Sequence, residues 1–119
     1  MTTVFGIKNC DSVKKARNWL SEHGLDYEFQ DLRSESLDTN QLRQLIEQWI
    51  AQAGWEALLN RRGTTWRKLD KSIQDSTNSD NVTDLLIQHP AMIKRPILDH
   101  NGLITLGFKP ELYQDIFNL

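Results

Sequence analysis

The residue best suited to chemistry in this sequence is its only cysteine, Cys10, which lies between a short strand pattern and a predicted helix. Residues 3–7 are mostly apolar and predict a strand, and the apolar spacing over residues 11–23 predicts a helix. A thiol in the first turn of a helix faces backbone N–H groups without a helical partner and the positive end of the helix dipole. Both favour the thiolate, which is the reactive form of cysteine.

Three lysines add positive charge around the predicted start of this helix: Lys8, Lys14 and Lys15. The alternative is a structural cysteine, but structural cysteines more often lie inside an apolar run, where burial makes the thiol inert. The local sequence therefore favours a reactive Cys10.

The composition is that of one ordinary soluble globular domain. The 119 residues are 39% hydrophobic and 25% charged, and neither a membrane helix nor a signal peptide is evident in the sequence. One cysteine excludes an internal disulfide and a site of several thiolates, and the three histidines lack the spacing of metal ligands. We therefore expect a cytoplasmic protein with no bound metal and no membrane association.

Positive charge is concentrated in one short segment of an otherwise acidic chain. The net charge is −2; residues 20–60 hold eight acids and two bases, whereas residues 61–71 hold five bases and one acid. The overall charge argues against a nucleic-acid-binding protein, and the basic cluster favours a local anion site. The alternative is a solvated basic face, in which some arginines pair with Glu47, Glu56 or Asp70.

The elements that position these residues are predicted in the order β-α-β, a helical insertion, and β-β-α. Strand patterns cover residues 3–7 and 27–32, and two more, at 96–98 and 103–106, flank the hairpin signal Asn101-Gly102. A strand–helix–strand crossover makes a parallel pair of strands, and a hairpin makes an antiparallel pair. The sequence thus predicts an α/β fold with a mixed four-stranded sheet covered by helices.

Several helix boundaries are marked by residues with a local physical role. Gly24 supplies a stop for the first helix, and Asp38 with Gln41 predicts a capping box at the start of the next one. Pro110 suits the first position of the last helix, because its missing N–H has no helical partner there in any case.

Three segments together resemble the arsenate reductase (ArsC)/Spx family, and within it most of all the YffB-like branch. They are Asn9–Ala16 around the cysteine, Asn60–Leu69 in the basic segment, and His89–Ile97 with its Arg-Pro pair. The similarity covers essentially the whole chain, with the segments in the same order and at the family's spacing.

The resemblance implies a single domain, residues 1–119, with a thioredoxin-like fold. Residues of about 1–33 and 91–119 would form the thioredoxin part, and residues of about 34–90 would form an all-helical insertion.

The resemblance also implies roles for individual residues. Cys10 would be the nucleophile, Arg95 would bind an oxyanion, and Pro96 would follow a cis peptide bond that faces the thiol. The third basic position of the family falls at Lys109, which keeps the charge but lacks the planar fork of arginine. The implied binding set for substrate, glutathione or oxyanion is Asn9, Asn60, Arg61, Arg62, Arg95, Pro96 and Lys109.

One basic position of the family does not carry over cleanly. The arginine of the helical insertion aligns with Asn60 or, with a small slip, with Arg61 or Arg62. We therefore expect arsenate turnover to be absent or far below that of a dedicated reductase.

Residue 13 separates this chain from the Spx branch. Those regulators carry Cys-x-x-Cys, whereas this chain has Cys10 and then Val13, so a mixed disulfide at Cys10 must be resolved by an outside thiol. The YffB-like branch implies glutathione as that co-substrate, with no bound cofactor. The expected function is a glutathione-dependent thiol reductase acting on an oxidised thiol or an oxyanion. The alternatives are an arsenate reductase and a Spx-like regulator that binds RNA polymerase without catalysis.

Overall fold

A computed structural model describes every residue from Met1 to Leu119 and contains four strands and seven α-helices. The strands are β1 (Thr2–Gly6), β2 (Glu28–Asp31), β3 (Ile97–His100) and β4 (Leu103–Leu106). The helices are α1 (Asp11–Glu22), α2 (Thr39–Ala53), α3 (Trp55–Leu58), α4 (Thr64–Arg67), α5 (Lys71–Ser76), α6 (Val82–Gln88) and α7 (Pro110–Ile116), with a 3₁₀ helix at Pro90–Met92. None of the helices combines the length and apolar character needed to cross a membrane.

The chain divides into two compact units. The sheet unit consists of Met1–Ser34 and Arg95–Leu119 and holds all four strands with α1 and α7. The helical unit, Glu35–Lys94, holds α2 to α6 and the 3₁₀ helix. The family resemblance implies the corresponding boundaries near 33/34 and 90/91.

The sheet has the strand order β2-β1-β3-β4. β1 is parallel to β2 and antiparallel to β3, and β3 is antiparallel to β4. The predicted mixed four-stranded sheet is confirmed. Asn101 and Gly102 join β3 to β4 with φ values of 54° and 91°, the left-handed backbone that a tight hairpin of this kind requires.

The core of the sheet unit lies between the sheet and its two helices. It combines residues of β1 and β3 with residues of α1 and α7, all of them buried: Val4, Ala16, Trp19, Leu20, Leu98 and Tyr113. Since Val4 and Leu98 are direct partners across the β1–β3 ladder, their side chains share one face of the sheet. Helices α1 and α7 therefore cover that face.

The helical unit is built around α2, whose start has the predicted capping box. The carboxylate of Asp38 accepts from the Gln41 amide at 2.8 Å, and the Gln41 side chain accepts from the Asp38 amide at 3.0 Å. Helix α2 packs against α3 and α6 and contributes three buried side chains, Leu42, Ile46 and Trp49. The capping box therefore begins a helix that is held by its apolar stripe.

Tyr113 places an unpaired polar group in the core of the sheet unit. It is fully buried, its hydroxyl has no hydrogen-bond partner, and its ring packs edge-on against Trp19 and Phe108 at centroid distances of 5.6 and 4.8 Å. Burial also raises the pKa of the Tyr113 hydroxyl well above that of an exposed tyrosine. The ring stabilises the folded state through packing, whereas the burial of its unpaired hydroxyl lowers the free energy of unfolding.

Tyr113→Phe is therefore expected to raise the free energy of unfolding by about 1–2 kcal/mol, because it removes an unpaired buried hydroxyl and keeps the ring. The gain should grow above about pH 10, where the unfolded tyrosine loses its proton but the folded one retains it, so that wild-type stability falls. Urea unfolding at pH 7 and pH 10.5 measures both effects. Tyr27→Phe is the matched control; it loses a 3.0 Å bond from Arg17 Nε and should destabilise. A less stable Tyr113→Phe protein would contradict this account.

Candidate functional site

Cys10 is the N-cap residue of α1. Its backbone is extended (φ −96°, ψ 125°), its carbonyl accepts from the Lys14 amide at 3.0 Å, and its amide donates to the Ile7 carbonyl at 3.2 Å. The side chain is half-buried, is not in a disulfide and caps no helix N–H group. The thiol thus lies beside the unpaired N–H groups of a twelve-residue helix and remains partly open to solvent.

The charge around Cys10 is mixed. Lys8, Lys14 and Lys15 are exposed, and Asp11 occupies the first helical position. An acid at that position stabilises the helix through its dipole and offsets part of the positive charge of the lysines.

Gly6 allows α1 to approach β1 closely. A Cβ atom at Gly6 would lie 2.6 Å from Cγ2 and 3.1 Å from Cγ1 of Val13, which is fully buried. Because carbon atoms do not approach this closely, a larger residue at position 6 would displace the first turn of α1. Gly6 therefore helps to fix the place of Cys10, three residues before Val13.

Asp31 holds the loop that leads to Cys10. It ends β2, and its carboxylate accepts from the Lys8 amide at 3.4 Å and from the Arg33 amide at 2.8 Å. The next residue, Leu32, donates its amide to the Gly6 carbonyl at 2.8 Å. The end of β2 is thereby tied to the chain on its way from β1 to α1.

The strand register brings the other predicted residues of the sheet unit to one end of the sheet. The end of β1, the beginning of β3 and the end of β4 lie side by side, because β1 and β4 are both antiparallel to β3. Cys10, Arg95 with Pro96, and Lys109 are each within four residues of these strand ends. Lys109 is exposed, Arg95 is half-buried, and the Arg95–Pro96 bond is cis, as the resemblance implies. Asn9, beside Cys10, is exposed.

The remaining predicted residues, Asn60 to Arg62, belong to the helical unit. The segment 58–60 runs antiparallel to 92–94, with a hydrogen bond of 2.8 Å from the Asn60 amide to the Met92 carbonyl and one of 2.8 Å from the Lys94 amide to the Leu58 carbonyl. This pairing places the turn that begins at Asn60 next to Lys94.

A cavity of about 290 Å³ opens at this turn. It is lined by Leu59, Asn60, Arg61, Arg62 and Lys94, and so combines three cations with no carboxylate. The guanidinium carbon of Arg61 lies 5.8 Å from the centre of the Trp55 ring. The cavity therefore has the charge of an anion-binding site.

The surface ion pairs considered as the alternative for this cluster are not formed. None of Arg61, Arg62 and Arg67 lies within ion-pair distance of a carboxylate, and the ion pair of the helical unit, at 2.7 Å, joins Arg43 and Asp84. The guanidinium groups at positions 61 and 62 are consequently available to an anion.

Comparison with known proteins settles the family. The sequence profile of the ArsC family matches residues 5–116. The chain belongs to the ArsC family. Among solved structures, the YFFB (PA3664) protein is 40% identical with a TM-score of 0.87 and 97% of each chain covered. An arsenate reductase-related protein from Brucella melitensis is 42% identical, has a TM-score of 0.75, and covers 99% of this chain and 95% of its own. The global transcriptional regulator Spx of Staphylococcus aureus is 27% identical over 93% of this chain and 82% of its own.

The fold of this ArsC-family protein is thioredoxin-like. A glutaredoxin from Archaeoglobus fulgidus superimposes with a TM-score of 0.53 over 99% of this chain and 86% of its own, at 13% identity, which is a likeness of fold alone. Membership of the ArsC family supports thiol redox chemistry as the general class of reaction.

Sequence reasoning missed three residues of this ArsC-family protein: Gly6 and Asp31, which position the loop of Cys10 in the sheet unit, and Lys94, which lines the cavity of the helical unit. Asp31 carried a usable signal, since an aspartate at the end of a strand pattern often accepts from the amide two residues on. Gly6 and Lys94 matter through partners distant in sequence or on another segment, and no local pattern marks them.

Proposed function

We propose that this protein is a thiol–disulfide oxidoreductase that uses Cys10 as its only nucleophile and glutathione as its external reductant. The observation that carries the proposal is the placement of the only cysteine of the chain, half-buried and uncapped, at the start of α1. A thiol at a helix N-terminus lies beside backbone N–H groups without a helical partner, and partial exposure admits a substrate sulfur.

The proposed reaction has two exchange steps. The Cys10 thiolate attacks the glutathione sulfur of a glutathionylated substrate; a sulfur–sulfur bond forms at Cys10, and the substrate leaves as a thiolate that takes up a proton. A second glutathione thiolate then attacks the glutathione sulfur of the mixed disulfide. Cys10 is released as a thiolate, and glutathione disulfide is the oxidised product. No second protein cysteine is needed, which fits Val13 at the fourth position of the motif.

The groups at the Cys10 end of the sheet receive binding roles in this proposal. Arg95 and Lys109 would hold a carboxylate or an oxyanion of the substrate, and Asn9 and the backbone before Pro96 would offer polar groups to a peptide-like chain. Support comes from the strand register, which brings the strand ends next to Cys10, Arg95 and Lys109 to the same end of the sheet.

The test is an assay panel on the purified protein with glutathione as reductant. The substrates are a glutathionylated peptide, a small disulfide and arsenate. Glutathione-dependent release of the peptide thiol, saturable in peptide and proportional to protein, is the expected result. Rates equal to those of glutathione alone on all three substrates would end the proposal.

A second candidate, a Spx-like regulator, is favoured by the 27% identity to the Staphylococcus aureus Spx protein. In that case the protein would bind purified RNA polymerase and show no turnover in the panel. A stable complex with RNA polymerase, together with no turnover of any of the three substrates, would support the regulator and contradict the reductase.

Arsenate turnover is expected to be absent or at least about two orders of magnitude below that of a dedicated reductase, because two basic positions of the family do not carry over. One aligns with Asn60 or, with a small slip, with Arg61 or Arg62, and the other is Lys109, which lacks the planar fork of arginine. Lys109→Arg should raise it about tenfold by adding a charged hydrogen bond. The measurement is arsenite formation with glutathione, and Lys14→Arg is the control. Fast reduction of arsenate by the wild-type protein would show that other groups bind the oxyanion.

A further inference from the structure

We propose that the outer edge of β2 binds an extended segment of a partner polypeptide as an added strand, and that Arg17 selects a segment with an acidic side chain beside Phe29. β2 is an edge strand, since the order of the sheet is β2-β1-β3-β4. The surface, here the β2 edge, consists of residues 27–31 together with Arg17 of α1. It belongs to the sheet unit alone and requires no chemistry at Cys10.

The register of β2 on β1 decides which main-chain groups of β2 are open. The Leu32 amide donates to the Gly6 carbonyl at 2.8 Å, and Gly6 is the ladder partner of Asp31. Because the main-chain groups of successive residues point to opposite sides of a strand, residues 28 and 30 face β1, as Leu32 does. The N–H and C=O groups of Phe29 therefore point away from β1. An edge with such open groups is a template for pairing with another chain.

Arg17 is a cation that aromatic groups hold above this edge. Its guanidinium carbon lies 4.1 Å from the centre of the Phe29 ring and 5.8 Å from that of the Tyr27 ring, and its Nε donates to the Tyr27 hydroxyl at 3.0 Å. Both rings also pack against the core of the sheet unit, so the support of Arg17 is itself fixed. The guanidinium is thus positioned before a partner binds, which lowers the entropy lost on binding.

The charge of Arg17 is not neutralised within the protein. Arg17 forms no ion pair, and the ion pair of the structure joins Arg43 and Asp84 in the helical unit. A guanidinium has five N–H donors, of which Tyr27 uses one, so the terminal nitrogens can bind a carboxylate at two points. Lys14, one turn earlier on the same side of α1, is exposed and adds positive charge. Charge complementarity therefore favours an acidic segment.

Strand geometry fixes the position of the acidic side chain. Residues that face each other on neighbouring antiparallel strands share one face of the sheet, with Cβ atoms about 4.5–5.5 Å apart. Phe29 lies on the face that α1 covers, because its ladder partner is Val4, a residue of the core under α1. An aspartate or glutamate opposite Phe29 would therefore extend toward the guanidinium stacked on that ring.

The charges of β2 disfavour a second copy of this chain as the occupant. The charged residues at positions 26–31 are all acidic: Asp26, Glu28 and Asp31. Two β2 edges that paired would bring both acidic sets together, and like charges on facing strands repel. A different polypeptide, acidic opposite Phe29 and uncharged or basic opposite Glu28, avoids that repulsion.

The experiment is an amide NMR titration of the whole protein with three seven-residue peptides, capped at both ends. In the first, threonine alternates with valine and the central valine is replaced by glutamate. The second has glutamine at the centre, and the third keeps the glutamate but is N-methylated at its three central residues, which blocks main-chain pairing. We expect the first peptide to shift the amides of residues 27–31 and the Nε signal of Arg17, and to bind at least about fivefold more tightly than the other two.

Arg17→Gln is the matching change in the protein. It should weaken the glutamate peptide about fivefold to tenfold and change the glutamine peptide by less than about twofold, because the lost contact joins guanidinium and carboxylate. Lys15→Gln removes the same charge from another side of α1 and should leave both affinities unchanged. The comparison of the three peptides on the wild-type protein stands by itself if Arg17→Gln does not fold.

Several results would contradict the proposal. Equal affinities of the glutamate and glutamine peptides would remove recognition by Arg17, and equal binding of the N-methylated peptide would remove strand addition. No shift at residues 27–31, or shifts along β4 at the opposite edge of the sheet, would remove the β2 edge as the site. Shifts at residues 27–31 that depend on protein concentration, without peptide, would show that a second copy occupies the edge. None of these readouts involves thiol transfer.

Discussion

Cys10→Ser is expected to lower glutathione-dependent thiol transfer by about three orders of magnitude or more, because no other side chain of this protein can form the mixed disulfide. The same substitution is expected to raise the free energy of unfolding by about 0.5–1 kcal/mol. Cys10 is the N-cap of α1 and caps no N–H group, whereas serine is among the preferred N-cap residues. If the serine variant is more stable but inactive, cysteine at position 10 serves the reaction and lowers the stability of the protein.

The measurements are the assay panel, urea unfolding, and mass spectrometry after incubation with glutathione disulfide. Wild-type protein should gain one glutathionyl group and the serine variant none. Cys10→Ala should lose activity without gaining stability, and Ser12→Ala, two residues along the same exposed turn, should keep the activity. Substantial turnover in Cys10→Ser would remove the thiol from the mechanism, and a less stable serine variant would show that the N-cap argument is wrong.

The parts of the fold that were predictable are those in which neighbours in sequence decide the backbone. The turn at Asn101-Gly102 needs two residues that tolerate positive φ, and the capping box needs only Asp38 and Gln41, three positions apart. The placement of Cys10 at a helix start likewise follows from the strand and helix patterns on either side of it.

The residue roles that the sequence patterns did not predict depend on atoms that only the fold brings together. The small size of Gly6 matters because Val13 packs against it, and the role of Lys94 appears only when its segment pairs with the one that ends at Asn60. Asn60 stays a predicted binding residue from the family pattern, and the structure adds that its side-chain oxygen accepts from the Arg62 amide within the turn. Sequence patterns report residue types, whereas these roles depend on which partner each atom meets.

Gly6→Ala is expected to lower the free energy of unfolding by about 1–2 kcal/mol. Alanine in a strand normally gains about 0.4–1 kcal/mol over glycine, because it reduces the freedom of the unfolded chain. Here the new Cβ would lie 2.6 Å from Cγ2 of Val13, a β-branched and fully buried side chain that cannot swing away. Overpacking of this kind costs about 1–3 kcal/mol, so the clash outweighs the gain.

The double variant Gly6→Ala with Val13→Ala tests that cause directly. Val13→Ala alone should cost about 1.5–3 kcal/mol, because it leaves a cavity between α1 and β1. In the double variant the Cβ at position 6 enters the volume that the valine methyls vacate. The two costs should therefore not add, and we expect a favourable coupling of about 1–2 kcal/mol in the double-mutant cycle.

The cycle also connects the packing of Gly6 to the chemistry of Cys10. If the clash displaces the first turn of α1, Gly6→Ala should slow thiol transfer about tenfold or more, since small misplacements of a reacting group are costly. The double variant should then recover a large part of that rate, because the first turn can return to its place. Additive stability losses would place the effect of Gly6→Ala elsewhere than at Val13. An unchanged rate in a destabilised Gly6→Ala protein would show that the close approach of α1 to β1 serves the stability of the sheet unit and not the position of the thiol.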